Sequence, residues 1–214
     1  MKCDKNDFIL YAVTDRTWTG EKTLYQQVEE TLKGGATFVQ LREKELDDES
    51  FLAEACSINE LCRKYNVPFI INDNLDVAIR SDADGIHIGQ KDLDATYVKS
   101  VVGEDKILGV SVQTVEQAIR AEKSGADYLG VGSIFITSSK ADADTVSIST
   151  LKSICKTVSI PVVAIGGIST DNILELKGSG ICGVAVISAI FAQDDIMSAT
   201  KKLKESAKQV IIND

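Results

Sequence analysis

Histidine is nearly absent from this chain of 214 residues: His87 is the single one. Tryptophan is equally rare, with Trp18 alone, and proline occurs twice, as Pro68 and Pro161. One histidine leaves no Cys/His dyad, and no G-x-S-x-G elbow supplies a nucleophile for acyl transfer. Positive charge is also in deficit. Lys and Arg total 23 against 32 Asp and Glu, a formal net charge of -9. A nucleic-acid surface would want a basic stripe, so that class is excluded. No run approaches the roughly 18 apolar residues of a membrane span. The five cysteines are odd in number and form no C-x-x-C pair, so they read as reduced thiols rather than disulfides or a zinc site. The segment Met1 to Asp7 is too polar for a signal peptide, and a cytoplasmic location is expected.

What is present is ordinary globular composition, 44% hydrophobic and 26% charged. A chain of this length can bury one sizeable core. Apolar strand-like runs recur near Phe8–Thr14, Thr37–Leu41, Pro68–Asn72, Asp84–Ile88, Ile107–Val112, Tyr128–Ile134, Val162–Ile165 and Gly183–Ile187. Helical patterns lie between them, for example Thr23–Lys33, Glu49–Lys64, Thr114–Lys123 and Asp194–Gln209. Gly34-Gly35, Gly125 and Gly178-Ser179-Gly180 read as helix stops before strands. Both prolines open an apolar run, where a missing N–H costs little. Strand-helix units recurring at about 25 residues allow a closed eight-stranded barrel or an open doubly wound sheet. Polar residues at the C-terminal ends of many strands favour the barrel, whose sites are built there. The expectation is an α/β fold, a (β/α)8 TIM barrel, with residues 1–214 forming a single domain.

One strand is polar where a core should be. In Phe38-Val39-Gln40-Leu41-Arg42-Glu43-Lys44, strand alternation sends Gln40, Arg42 and Lys44 the same way as Phe38. Such a face suits an anion at the mouth of a barrel. Asn72 and Asp73 end the third strand, Ser111 the fifth, and Thr137-Ser138-Ser139-Lys140 follow the sixth. Asp73 and Asp92, on neighbouring strand ends, could share one hard cation, and with no Cys or His cluster nearby that points to Mg²⁺. The bland alternative makes both of them turn or cap residues. Gly166-Gly167 with the end of the eighth strand forms a second candidate anion site. His87, between apolar neighbours, reads as a hydrogen-bonded structural residue, and Trp18 as loop packing. No nucleophile-base pair is evident, which fits chemistry in which a phosphate is held or expelled.

These stretches resemble the thiamine-phosphate synthase family. The resemblance runs through Tyr11-Ala12-Val13-Thr14-Asp15, Val39 to Lys44, Ile71-Asn72-Asp73, Ala83 to Asp92, Gly109-Val110-Ser111, Gly125 to Gly132, Thr137 to Lys140, Ala164 to Ile168 and Val184 to Ser188. It implies condensation of hydroxymethylpyrimidine diphosphate with hydroxyethylthiazole phosphate, with Mg²⁺ as cofactor and only small molecules as partners. It implies a pyrimidine-diphosphate site at Gln40, Leu41, Arg42, Glu43, Lys44, Asn72, Ser111 and Lys140. Of these, Arg42, Lys44, Ser111 and Lys140 would be catalytic. It places the metal at Asp73 and Asp92, and the thiazole phosphate at Thr137, Ser138, Ser139, Gly167, Ile187 and Ser188. The family often has Thr where Ser139 stands. Related thiazole tautomerases use a histidine just after the fifth strand; Gln113 stands there, which speaks against that activity. A barrel serving only as a ligand sensor would not need Arg42, Asp73, Asp92 and Lys140 together. The sequence leaves oligomeric state open.

Overall fold

Eight short parallel strands close into a barrel in sequence order, from β1 to β8 and back to β1. They are β1 (Leu10–Val13), β2 (Phe38–Leu41), β3 (Phe69–Asn72), β4 (Gly85–Ile88), β5 (Ile107–Val112), β6 (Tyr128–Val131), β7 (Val162–Ile165) and β8 (Gly183–Val186). This computed structural model describes residues 4–137 and 145–211. Around the barrel lie α1 (Leu24–Gly34), α2 (Asp48–Lys64), α3 (Leu75–Arg80), α4 (Ala95–Val102), α5 (Val115–Lys123), α6 (Ile148–Thr157), α7 (Ser188–Phe191) and α8 (Ile196–Ile211). All eight strands fall within the runs expected from the sequence, with ragged ends trimmed.

Local chemistry explains the boundaries. Thr23 and Gln26 form a capping box before α1, and Gly35, at φ 98°, closes that helix in the left-handed region. Thr114 and Gln117 repeat the box at α5. The residues that precede strands tie neighbouring strands together. Thr37 accepts from the Leu10 amide at 2.9 Å, Asp84 from the Phe69 amide at 2.8 Å, and Asp127 from the Leu108 amide at 2.8 Å. Those ties satisfy strand-end donors that would otherwise be buried without partners. One expected unit differs: the link from β7 to β8 carries a single 3-10 turn, Ile173–Leu176, in place of an α-helix. Gly166, Gly167, Gly178 and Gly180 all take positive φ there, so turns bracket the 3-10 segment on both sides.

Two apolar layers result. Residues such as Val39, Leu41, Ile71, Ile86 and Leu129 pack outward against the helices. Phe8, Tyr11, Phe38, Ile70, Tyr128 and Val163 fill the barrel interior. Four aromatic rings plug its lower half, with Phe8 and Phe38 stacked at 4.9 Å and Tyr11 4.6 Å from Phe38. Above this plug the interior turns polar, with Gln40 and His87 both buried.

Candidate active site

The inward face of β2 carries Phe38 and then Gln40, as alternation requires, but the strand stops at Leu41. Arg42 and Lys44 therefore sit on the loop above the barrel and not on a continued strand face. The register explains the stop: β1 pairs with β2 only as far as Val13 with Gln40. Beyond it the Arg42 amide turns to Thr14 Oγ1 at 3.0 Å, and its guanidinium Nη1 meets Asp15 Oδ2 at 2.9 Å. The pair is mostly buried, with 15% and 13% side-chain exposure. Burial alone would raise the Asp15 pKa, but hydrogen bonds from Thr17 and the charges of Arg42 and Lys44 hold it below its ordinary value.

Glu43 faces the other way. It accepts from Arg16 Nε at 2.8 Å and from the amides of Lys44 and Glu45, and Arg16 also reaches Glu54 at 2.5 Å. These bonds outweigh burial and lower the Glu43 pKa. Leu41 is fully buried among the outward-packing residues, so only its main chain can meet a ligand. Lys44 is exposed. Asp15, Arg16, Thr17 and residues 42–45 line a cleft of about 160 Å³.

At the neighbouring rim, Asn72 ends β3 half-buried, paired in register with His87. Asp73 follows with φ 63°, a left-handed conformation that is unusual outside glycine, and its amide donates to His87 O at 2.9 Å. Asp92 accepts from the Gly89 amide at 2.7 Å through Oδ2. Both aspartates are exposed, and among the described residues no group of three or more His, Cys, Asp and Glu surrounds them. Gln90 ties the loop after β4 to β5 by donating to Ser111 O at 2.8 Å.

Past β7 the chain wraps on itself. Phe135 N–H donates to Gly166 O at 2.9 Å, and Asn172 Nδ2 donates to Gly167 O at 2.8 Å. A Cβ on Gly167 would fall 2.5 Å from Ile136 O, so the bare backbone is required for this approach. Ile187 leaves β8 at φ -116°, ψ -85°, and Ser188 begins the short α7. Thr137 is the last described residue before position 145. Ser138, Ser139 and Lys140 lie outside the described residues.

His87 is hydrogen-bonded at both ring nitrogens, Nδ1 to Tyr128 Oη at 2.7 Å and Nε2 to Ser111 Oγ at 2.8 Å. Tyr128 Oη in turn meets Tyr11 Oη at 2.8 Å, and Gln40 Nε2 donates to Tyr11 Oη. Sequence reasoning assigned no role to Tyr11, Tyr128 or Asp15. One signal was available: Gly109 and Gly130 interrupt two buried strands, and they open the space that the Tyr128 and His87 rings occupy. Four cysteines, at 56, 62, 155 and 182, are free thiols, and burial pushes the Cys182 thiol up to about 12.

A family model described as thiamine monophosphate synthase matches residues 10–190. The chain belongs to that family. A thiamine-phosphate synthase of Ruminiclostridium cellulolyticum is 52% identical over 94% of this chain and 96% of its own. One from Clostridium botulinum is 48% identical over 94% and 95%. Among solved structures, thiamine phosphate pyrophosphorylase from Pyrococcus furiosus superposes with a TM-score of 0.90 at 39% identity, covering 97% of this chain and 98% of that one. The family is one of transferases. Among the described residues, no helix is long and apolar enough to cross a membrane.

Proposed function

We propose that the chain joins hydroxymethylpyrimidine diphosphate to hydroxyethylthiazole phosphate, releasing diphosphate and forming thiamine phosphate. The observation that carries this reading is the rim of β2: a buried amide at Gln40 with Arg42, anchored by Asp15, directly above it. Such an arrangement suits a ligand whose ring enters the barrel and whose phosphates stay at the mouth. Asn72 and Ser111 complete the ring pocket from β3 and β5. Lys44 and Lys140 add positive charge to the phosphate end.

In the reaction, the C–O bond between the pyrimidine methylene and the diphosphate breaks, and its electron pair leaves with the diphosphate. The electron-rich aminopyrimidine carries the resulting cation. The thiazole nitrogen then supplies the pair for the new C–N bond. No proton moves, so no general base is required, consistent with a His87 whose two nitrogens already have partners. Arg42, Lys44 and Lys140 stabilise the departing charge electrostatically, a form of catalysis that needs little reorganisation when the charges are preorganised. The backbone at Gly167, Ile187 and Ser188, with Thr137, Ser138 and Ser139, anchors the thiazole phosphate and sets its approach.

Asp73 and Asp92 fit Mg²⁺ in ligand chemistry. Two carboxylates, with the remaining positions left to diphosphate oxygens and water, are a set that this ion accepts. Bound there, the ion would neutralise charge on the leaving diphosphate. Incubating purified protein with both substrates and Mg²⁺ tests the reading: thiamine phosphate must appear, and its absence refutes it.

A further inference from the structure

A chain of buried hydrogen bonds crosses the barrel interior through five strands. It runs from Gln40 on β2 to Tyr11 on β1, Tyr128 on β6, His87 on β4 and Ser111 on β5. Tyr11 and Tyr128 are almost fully buried, and Gln40 and His87 are 4% and 8% exposed. Its ends are Gln40 and the half-buried Ser111. Gln40 Oε1 accepts no bond from the described residues, yet it is not among the buried atoms left without a partner, so it is not sealed from solvent.

The chain has a direction. Each tyrosine carries one proton, and burial drives the Tyr11 phenol far above its ordinary pKa, so it stays neutral. Tyr11 Oη accepts from the Gln40 amide and turns its proton to Tyr128. Tyr128 then donates to His87 Nδ1. That makes His87 the Nε2–H tautomer, which donates to Ser111 Oγ. Ser111 therefore has its oxygen engaged from below and its own proton aimed at the mouth. Turning the Gln40 amide over would reverse every link and convert Ser111 into an acceptor. A mixed state would leave a buried donor facing a donor, which is the costly arrangement in such a network. Arg42, which shares its charge with Asp15, and Lys44 stand two and four residues beyond Gln40, and their positive charge favours the carbonyl, not the NH₂, toward the mouth.

We propose that Tyr11, Tyr128 and His87 are positioning residues that lock Gln40 as an acceptor and Ser111 as a donor, so that the mouth selects an aminopyrimidine over an oxopyrimidine. This rests on the pyrimidine reading of the site above. An aminopyrimidine edge presents an N–H beside a ring nitrogen lone pair: the N–H meets Gln40 Oε1 and the lone pair meets the Ser111 hydroxyl. The 4-oxo form presents a carbonyl beside a ring N–H, the opposite pattern, and only a fully reversed chain could satisfy it.

The test is calorimetric, with Mg²⁺ and without the thiazole substrate. It compares 4-amino-2-methyl-5-hydroxymethylpyrimidine diphosphate with its 4-oxo analogue, and uses inorganic diphosphate as a control for the cation site. Wild type is expected to favour the amino form by about 10²-fold or more, because a site built to hydrogen-bond one pattern strands its own groups against the other. Tyr128→Phe cuts the chain and frees each end to reorient. Its preference is expected to fall to about tenfold or less, with diphosphate affinity unchanged. Tyr11→Phe cuts one link earlier and serves if Tyr128→Phe does not fold. A general loss of packing would weaken both pyrimidines alike and leave their ratio intact. An unchanged ratio in either folded variant overturns the proposal. So does a wild type that makes thiamine phosphate yet binds both forms equally. A wild type that makes none overturns the functional reading, and this inference with it.

Discussion

Replacing Gly109 by alanine should damage this protein far more than one methyl group suggests. Gly109 lies on β5 in register with Tyr128 on β6. A Cβ there would stand 2.3 Å from Tyr128 Cζ and 2.4 Å from both Cε1 and Oη, where real Cβ contacts do not fall below 3.0 Å. The ring must move, and it is hemmed in. Phe8 stands 4.6 Å away by ring centroids and His87 5.5 Å away. Overpacking of this kind costs about 1–3 kcal/mol. Shifting the ring also breaks the Tyr128 bonds to Tyr11 and His87, at about 1 kcal/mol each. The total is about 3–5 kcal/mol, or a fall in Tm on the order of 10 °C for a domain of this size. Thermal and urea unfolding of Gly109→Ala measure it. A double-mutant cycle with Tyr128→Leu assigns the cost, because a smaller partner should recover much of the loss. A Gly109→Ala protein within roughly 2 °C of wild type would refute the claim that the Tyr128 ring is held against β5.

Three further outcomes follow from the rim. Asp15 and Glu43 both have depressed pKa values when folded, so their contribution is complete above the ordinary carboxylate range and disappears as pH falls through the folded values. Thermal stability should therefore drop in acid, and Asp15→Asn should flatten that drop; an identical acid profile in the variant would show the Arg42 pair to be inert. Lys140→Ala should lower kcat by about 10²-fold or more if it supplies one preorganised contact to the leaving diphosphate; an unchanged kcat would leave it a surface lysine. Excess EDTA should abolish turnover in a way that added Mg²⁺ restores, whereas full activity in EDTA would remove the metal role of Asp73 and Asp92.

Much of the barrel could be read from residue pattern alone. Eight buried apolar runs, glycine stops and two prolines placed at strand entrances were enough to place every strand, because a parallel strand buried on both faces reads as a continuous apolar run. The strand end at β2 could not be read that way. Alternation carries no information about where hydrogen bonding to β1 ceases, and it ceases at Gln40, so Arg42 and Lys44 belong to a loop. His87 was legible as a satisfied interior histidine, but its partners were not. Tyr11 and Tyr128 look apolar in a strand, and their hydroxyls meet only because the barrel closes β1 and β6 across one interior, 117 residues apart in sequence. Asp15 was hidden for the same reason: its partner Arg42 lies 27 residues away, on the loop that follows the next strand. Contacts made by closure are set by topology, and no local spacing encodes them.

On the proposed function, this rim expels diphosphate from a pyrimidine and delivers the carbon to a thiazole nitrogen. The most direct measurement mixes purified protein, both substrates and Mg²⁺, and follows thiamine phosphate and diphosphate together by chromatography. The two products should appear in equal amounts, and neither should form when the protein is omitted. Diphosphate release without thiamine phosphate, or no release at all, would contradict it.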